Sequence, residues 1–105
     1  MGRNNVTIRK HYDGADCYLR CVFFNYLHAE EDPSTIVLTI TFPDGTTSVK
    51  GKGDMTQWIE PDAVDNTGHW QYQHTNAQDG FHKFHVLFTM ANGDNGVAIG
   101  RWKVI

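Results

Sequence analysis

The chain has 105 residues and a formal net charge of −3 with its six histidines neutral, the size of one domain with no room for a second. Asp, Asn, Gly and Pro make 29 residues and Thr, Val and Ile another 24, against 18 for Leu, Ala, Glu and Lys; turn formers joined to strand formers exclude a helical bundle. Nine scattered Lys and Arg residues do not supply the clustered positive surface that a phosphate backbone needs, which argues against nucleic acid as a partner.

A polar arm, Met1, Gly2, Arg3, Asn4 and Asn5, leads into a first strand at residues 6–12, and residues 13–105 complete the domain. The second strand, 16–26, sets Cys17, Leu19, Cys21 and Phe23 on one face. In the third, 35–42, Ile36, Leu38, Ile40 and Phe42 alternate with Val37, Thr39 and Thr41, the pattern of a strand with one face on a core and one towards water. Pro43, Asp44 and Gly45 form a turn, so 46–50 returns as a short strand until the Gly51-Lys52-Gly53-Asp54 segment breaks it. A strand at 55–59 stops before Pro61, which cannot donate to a ladder. After the turn at 66–68, residues 69–74 alternate aromatic and polar, and 84–90 direct Phe84, Val86, Phe88 and Met90 to the core. The glycine-rich loop 92–96 then leads to a last strand, 97–104, with Trp102 and Val104 inward. A short helical turn fits 26–31 or 60–64. About eight strands with no helix of consequence predict an all-β antiparallel sandwich, because one twisted sheet of this length leaves an apolar face uncovered.

No apolar run reaches the ~20 residues of a bilayer span, and the first twelve residues lack the apolar stretch of a signal peptide. The expectation is a chain made in a cytoplasm, with no membrane partner. Met1 and Gly2 open like a myristoylation signal, but Val6 stands where Ser or Thr is required. Cys17 and Cys21 lie four apart on one strand, ~13 Å from each other at ~3.3 Å per residue, beyond the ~7 Å limit for a disulfide. They read as reduced core residues.

Chemistry-bearing patterns are sparse. Ser34 and Ser48 sit in a turn and a polar strand, outside any nucleophile elbow. His82 and His85, three apart on a strand, point to opposite faces, as do His69 and His74, five apart, so neither pair supplies two converging zinc ligands. The six histidines are expected as exposed imidazoles that cover strand faces or line a subunit contact, where their titration makes association pH-sensitive. Glu30, Glu31 and Asp32 form an acidic loop, and Asp94 with Asn95 resembles a calcium loop in composition only. No metal and no cofactor is expected. Trp70 and Trp102 are in phase with core faces, whereas Trp58, between turns, is the candidate for an exposed aromatic anchor.

Several segments taken together carry a resemblance: Asp32-Pro33-Ser34-Thr35 before Ile36-Val37-Leu38-Thr39-Ile40, the Pro43-Asp44-Gly45-Thr46 turn, Thr67-Gly68-His69-Trp70-Gln71-Tyr72, Gly80 leading a strand, and a closing Gly100-Arg101-Trp102-Lys103-Val104. Over about residues 14–105 the chain resembles the small immunoglobulin-like β-sandwich proteins encoded among the virion structural genes of tailed bacteriophages. It departs from them at Phe81 and His82, where a Thr-Trp type pair is usual, and in the longer 92–96 loop. The resemblance implies a non-enzymatic virion component assembled in the host bacterial cytoplasm: a head decoration (cement) protein, or a head-completion or tail accessory protein. Its partners are then the major capsid protein or other virion proteins, with self-association into a homo-oligomer open. Candidate contact residues are the arm Met1, Gly2, Arg3, Asn4 and Asn5, the loop residues Glu30 and Glu31, Trp58, and Asn92 and Asp94. The alternative is a carbohydrate-binding or host-surface recognition module that uses exposed aromatics, Trp58 first.

Overall fold

The computed structural model describes residues 5–13, 16–59, 65–75 and 79–104; Met1, Gly2, Arg3, Asn4 and the helical turn expected at 60–64 lie outside them. Among the described residues there are eight strands: β1 (Asn5–Asp13), β2 (Asp16–Phe24), β3 (Thr35–Thr41), β4 (Thr47–Gly51), β5 (Thr56–Gln57), β6 (His69–Thr75), β7 (Gly80–Thr89) and β8 (Asn95–Val104). They form two antiparallel sheets with strand orders β1-β2-β6-β5 and β4-β3-β7-β8. Among the described residues the one helical element is a 3-10 turn, Lys52–Asp54, and no helix is long and apolar enough to cross a membrane.

The alternation read from the sequence sets the core. Cys17, Leu19, Cys21 and Phe23 from β2 face Ile36, Leu38 and Ile40 from β3 and Phe84, Val86 and Phe88 from β7, all buried, with Met90 and Trp102 closing the layer. Phe42 and Val104 are only partly buried at its margin. Along β8 the inward positions are Gly96, Ala98, Gly100 and Trp102, directly opposite Phe88, Val86, Phe84 and His82 on β7. Gly96 and Gly100 stand where β7 carries Phe88 and Phe84, and the two rings occupy the space that a Cβ at either glycine would need.

Both hairpins of the second sheet close in the same way. Phe42 N donates to Thr46 O at 2.8 Å, and Met90 N donates to Asp94 O at 2.9 Å. Gly45 and Gly93 each take the left-handed conformation between them, at φ 91° and 90°. The second hairpin is thus tighter than expected: Asn95 and Gly96 belong to β8, and only 91–94 remain as loop.

Three local expectations are corrected. Asn5 begins β1, paired with Phe24, instead of belonging to a free arm. Residues 26–31 form no helix, because Asn25 Oδ1 accepts from Leu27 N at 2.9 Å and from Ala29 N at 3.1 Å and so takes up amides that a helical turn would use. The strand expected at 55–59 shrinks to Thr56–Gln57, since Gly51 N donates to Asp54 Oδ2 at 2.9 Å to shape the 3-10 turn and Met55 turns into the core.

Candidate interaction surfaces

The outer face of the β4-β3-β7-β8 sheet is built by strand register. Val37, Leu87 and Val97 stand directly opposite one another on β3, β7 and β8, and the next row is Val49, Thr39, His85 and Ile99. Val49, Val97 and Ile99 are 65%, 57% and 75% exposed, so five aliphatic side chains, interspersed with Thr39 and His85, gather on a face that alternation directs to water. Farther along, Thr47, Thr41, Lys83 and Arg101 form a third row, and Phe81 opposite Lys103 a fourth. Arg101 and Lys103 stand 4.9 and 5.4 Å from the Phe81 ring centroid, within cation–π range. None of the outward positions on these four strands is Asp or Glu. A groove of about 510 Å³ runs between Thr39 and Thr41, Lys83 and His85, and Ile99 and Arg101.

The second surface is the end of the sandwich where β2 ends, β3 begins and β7 turns into β8. Asp32 organises it: its Oδ1 accepts from Gly68 N at 2.7 Å, Trp70 Nε1 at 3.1 Å and Gln57 Nε2 at 3.2 Å. The β2–β3 loop is thereby tied to β5 and β6. Gly68 is required there, at φ 79°, because a Cβ would lie 2.9 Å from Phe23 O and 3.1 Å from Glu31 N. Glu30 Oε2 pairs with the buried His69 Nε2 at 3.1 Å, Glu31 Oε1 accepts from Asn25 Nδ2 at 3.3 Å, and Asn92 holds Asp94 through two bonds of 3.0 Å. Of the candidate contact residues, Glu30, Glu31, Asn92 and Asp94 therefore come to one end of the molecule. Trp58 does not serve as the exposed anchor: it is half-buried, its ring 5.0 Å from His69 and 5.1 Å from the Arg20 guanidinium. Its neighbour Ile59 is the exposed one, at 61%.

A third feature was missed by the reading of histidines as exposed. His28 and His85 are exposed, but His69, His74 and His82 are buried. His82 stacks on Trp102 at 4.8 Å and 14°, and His74 meets both rings edge-on at 5.5 Å. Neither ring nitrogen of His82, nor Nε2 of His74, has a hydrogen-bond partner. Burial, reinforced by His82 and Lys50 and opposed by Asp16, pushes the His74 pKa below its ordinary value. The signal was in the sequence: His74 shares strand parity with Trp70 and Tyr72, and His82 with Phe84, Val86 and Phe88. Cys17, opposite His74, and Cys21 are free buried thiols, pushed up by burial to about 11 and about 12. Among the described residues no group of three or more His, Cys, Asp and Glu is placed to hold a metal ion.

No family model and no curated protein matches the chain. Solved structures do. The chitinase ChiW from Paenibacillus sp. str. FPU-7, a cell-surface-expressed multi-modular enzyme, superposes with a TM-score of 0.67 at 10% identity, over 99% of this chain and 9% of that one. MtrC from Shewanella baltica OS185 superposes with a TM-score of 0.55 at 9% identity, over 96% of this chain and 22% of that one. The likeness is one of fold: a small all-β domain similar to parts of larger bacterial proteins, and fold does not carry activity.

Proposed function

We propose that this chain is a non-enzymatic structural protein of a bacteriophage virion, an immunoglobulin-like sandwich that binds and stabilises the assembled head as a decoration protein. Two features support the immunoglobulin-like reading. The sheet orders β1-β2-β6-β5 and β4-β3-β7-β8 correspond to A-B-E-D and C′-C-F-G of that architecture, and the motifs from Asp32 to Val104 resemble those of the phage proteins. The observation that carries a binding role is the aliphatic patch of Val37, Leu87, Val97, Ile99 and Val49. A solvated strand face has no use for such a patch, whereas an association surface does.

In mechanism, a decoration protein stabilises by mass action: it binds the assembled lattice and not the free subunit, and so shifts the equilibrium towards the lattice. Repetition on a symmetric shell multiplies a modest contact. A glycan-binding module would need an exposed Trp58, and this ring is half-buried beside His69 and Arg20. The test is to add the purified protein to undecorated heads of its phage and follow binding by sedimentation and head disruption by a thermal scan. Binding with a raised disruption temperature, both lost in Val97→Asp/Ile99→Asp, is the expected result; heads that neither bind the protein nor gain heat resistance overturn the proposal.

A further inference from the structure

The two surfaces described above are complementary to each other. The sheet face carries Lys83, Arg101 and Lys103 with no carboxylate at any outward strand position, in a chain whose net charge is −3. The loops and turns at the β2–β3 end carry Glu30, Glu31, Asp32, Asp54, Asp65 and Asp94, against Lys52 alone among their described residues. Each surface also has an apolar half. Tyr26 and Leu27, 45% and 68% exposed, precede Glu30 and Glu31 in one loop, while the groove on the sheet face has Ile99 on one side and Lys83 with Arg101 on the other.

We propose that this sheet face takes the acidic β2–β3 loop end of a second copy of the chain, in a head-to-tail contact. Leu27 and Tyr26 pack on the aliphatic rows while Glu30 and Glu31 reach Lys83 and Arg101. Hydrogen bonds from His69, Asn25, Gly68, Trp70 and Gln57 hold one oxygen each of Glu30, Glu31 and Asp32, and a carboxylate accepts at both oxygens. The loop is therefore fixed in place before it docks, which lowers the ordering cost of binding. A symmetric face-to-face dimer is disfavoured because it would juxtapose two cationic groups with no carboxylate between them. A head-to-tail contact uses different patches on the two copies, and so generates a ring or an open filament. The contact between copies uses the same aliphatic rows that the decoration reading gives to the head, and protein alone tests it, so a chain that self-associates without binding heads separates the two.

The experiment is sedimentation velocity on the full chain over a concentration series, at low and high salt. The expected result is mass that grows with concentration at low salt and falls back at high salt, because the contact is partly ionic. Lys83→Glu/Arg101→Glu and Glu30→Lys/Glu31→Lys each sediment as monomers, and an equimolar mixture re-associates, since each variant keeps the half that the other lacks. Leu27→Ser, at an exposed loop tip without a role in the core, weakens association while leaving the melting temperature unchanged. It covers the case in which loss of the Glu30 pair to His69 disturbs folding. A wild-type monomer at all concentrations overturns the proposal, as does a dimer that survives the loop variants. A monomer that instead binds anionic phospholipid vesicles through Lys83 and Arg101 also overturns it.

Discussion

Replacing Gly96 by alanine adds one methyl group to the inner side of β8, where Phe88 already lies. The new Cβ would fall 2.2 Å from Phe88 Cζ and 2.6 and 2.8 Å from its two Cε atoms, so the ring would have to retreat by more than 1 Å to reach ordinary contact. Phe88 has nowhere to go. It is fully buried, meets Phe23 edge-on at 4.9 Å, and stands opposite Ile36 on the adjoining strand. Overpacking of this kind costs about 1–3 kcal/mol, offset by about 0.4–1 kcal/mol from the lower unfolded-state entropy of alanine. The expected net loss is about 1–2 kcal/mol, or roughly 5–10 °C in melting temperature for a domain of this size. Urea denaturation followed by tryptophan fluorescence, together with a thermal scan, measures it. Phe88→Leu makes room for the methyl group, so the double variant should be more stable than the sum of the single losses predicts, by about 1 kcal/mol of coupling. A Gly96→Ala protein as stable as the parent, or strict additivity with Phe88→Leu, would refute the interlocking of β7 and β8.

Asp32→Ala removes the acceptor shared by Gly68, Trp70 and Gln57 and should cost about 1–2 kcal/mol in urea denaturation, discounted for the exposure of the carboxylate; no change would mean that the loop is held elsewhere. The depressed His74 pKa means that the unfolded chain binds more protons than the folded one, so stability is full above the unfolded value of about 6.5 and falls as acid is added, by at most about 1.4 kcal/mol per pH unit for one group. Urea midpoints at neutral and mildly acidic pH should differ in the parent and converge in His74→Phe; an unchanged slope in that variant would count against His74 as the source. With Cys17 and Cys21 raised to about 11 and about 12, a thiol-disulfide reagent at neutral pH should label neither until denaturant is added, and prompt labelling of the native protein would contradict their burial.

How much of this was legible beforehand follows from what each feature depends on. The inward faces of β2, β3 and β7 were readable because strand parity is local: alternate residues point to opposite sides whatever lies above them. The Pro43-Asp44-Gly45 turn was readable for the same reason, since Asp44 Oδ1 caps Thr46 N two residues on. Trp58 was misread because its burial comes from Arg20 and His69, distant in sequence. His69 lies on the outward side of β6 by parity and is nonetheless buried, covered by Trp58 and Glu30. The contact candidates were half legible. The acidity of Glu30 and Glu31 is plain in the sequence, whereas the aliphatic rows on the second sheet are not, because Val37, Leu87 and Val97 become neighbours only through register.

The sequence by itself determined that the chain is all-β, where most strands run, and which side of each seeks the core, because those properties reside in pleat geometry and turn chemistry. Tertiary structure alone decided which strands share a sheet, that Trp58 and His69 cover each other, and that one outer face is aliphatic and cationic while one end is acidic. Those depend on pairings between residues tens of positions apart, and a contact surface is a property of neighbours in space.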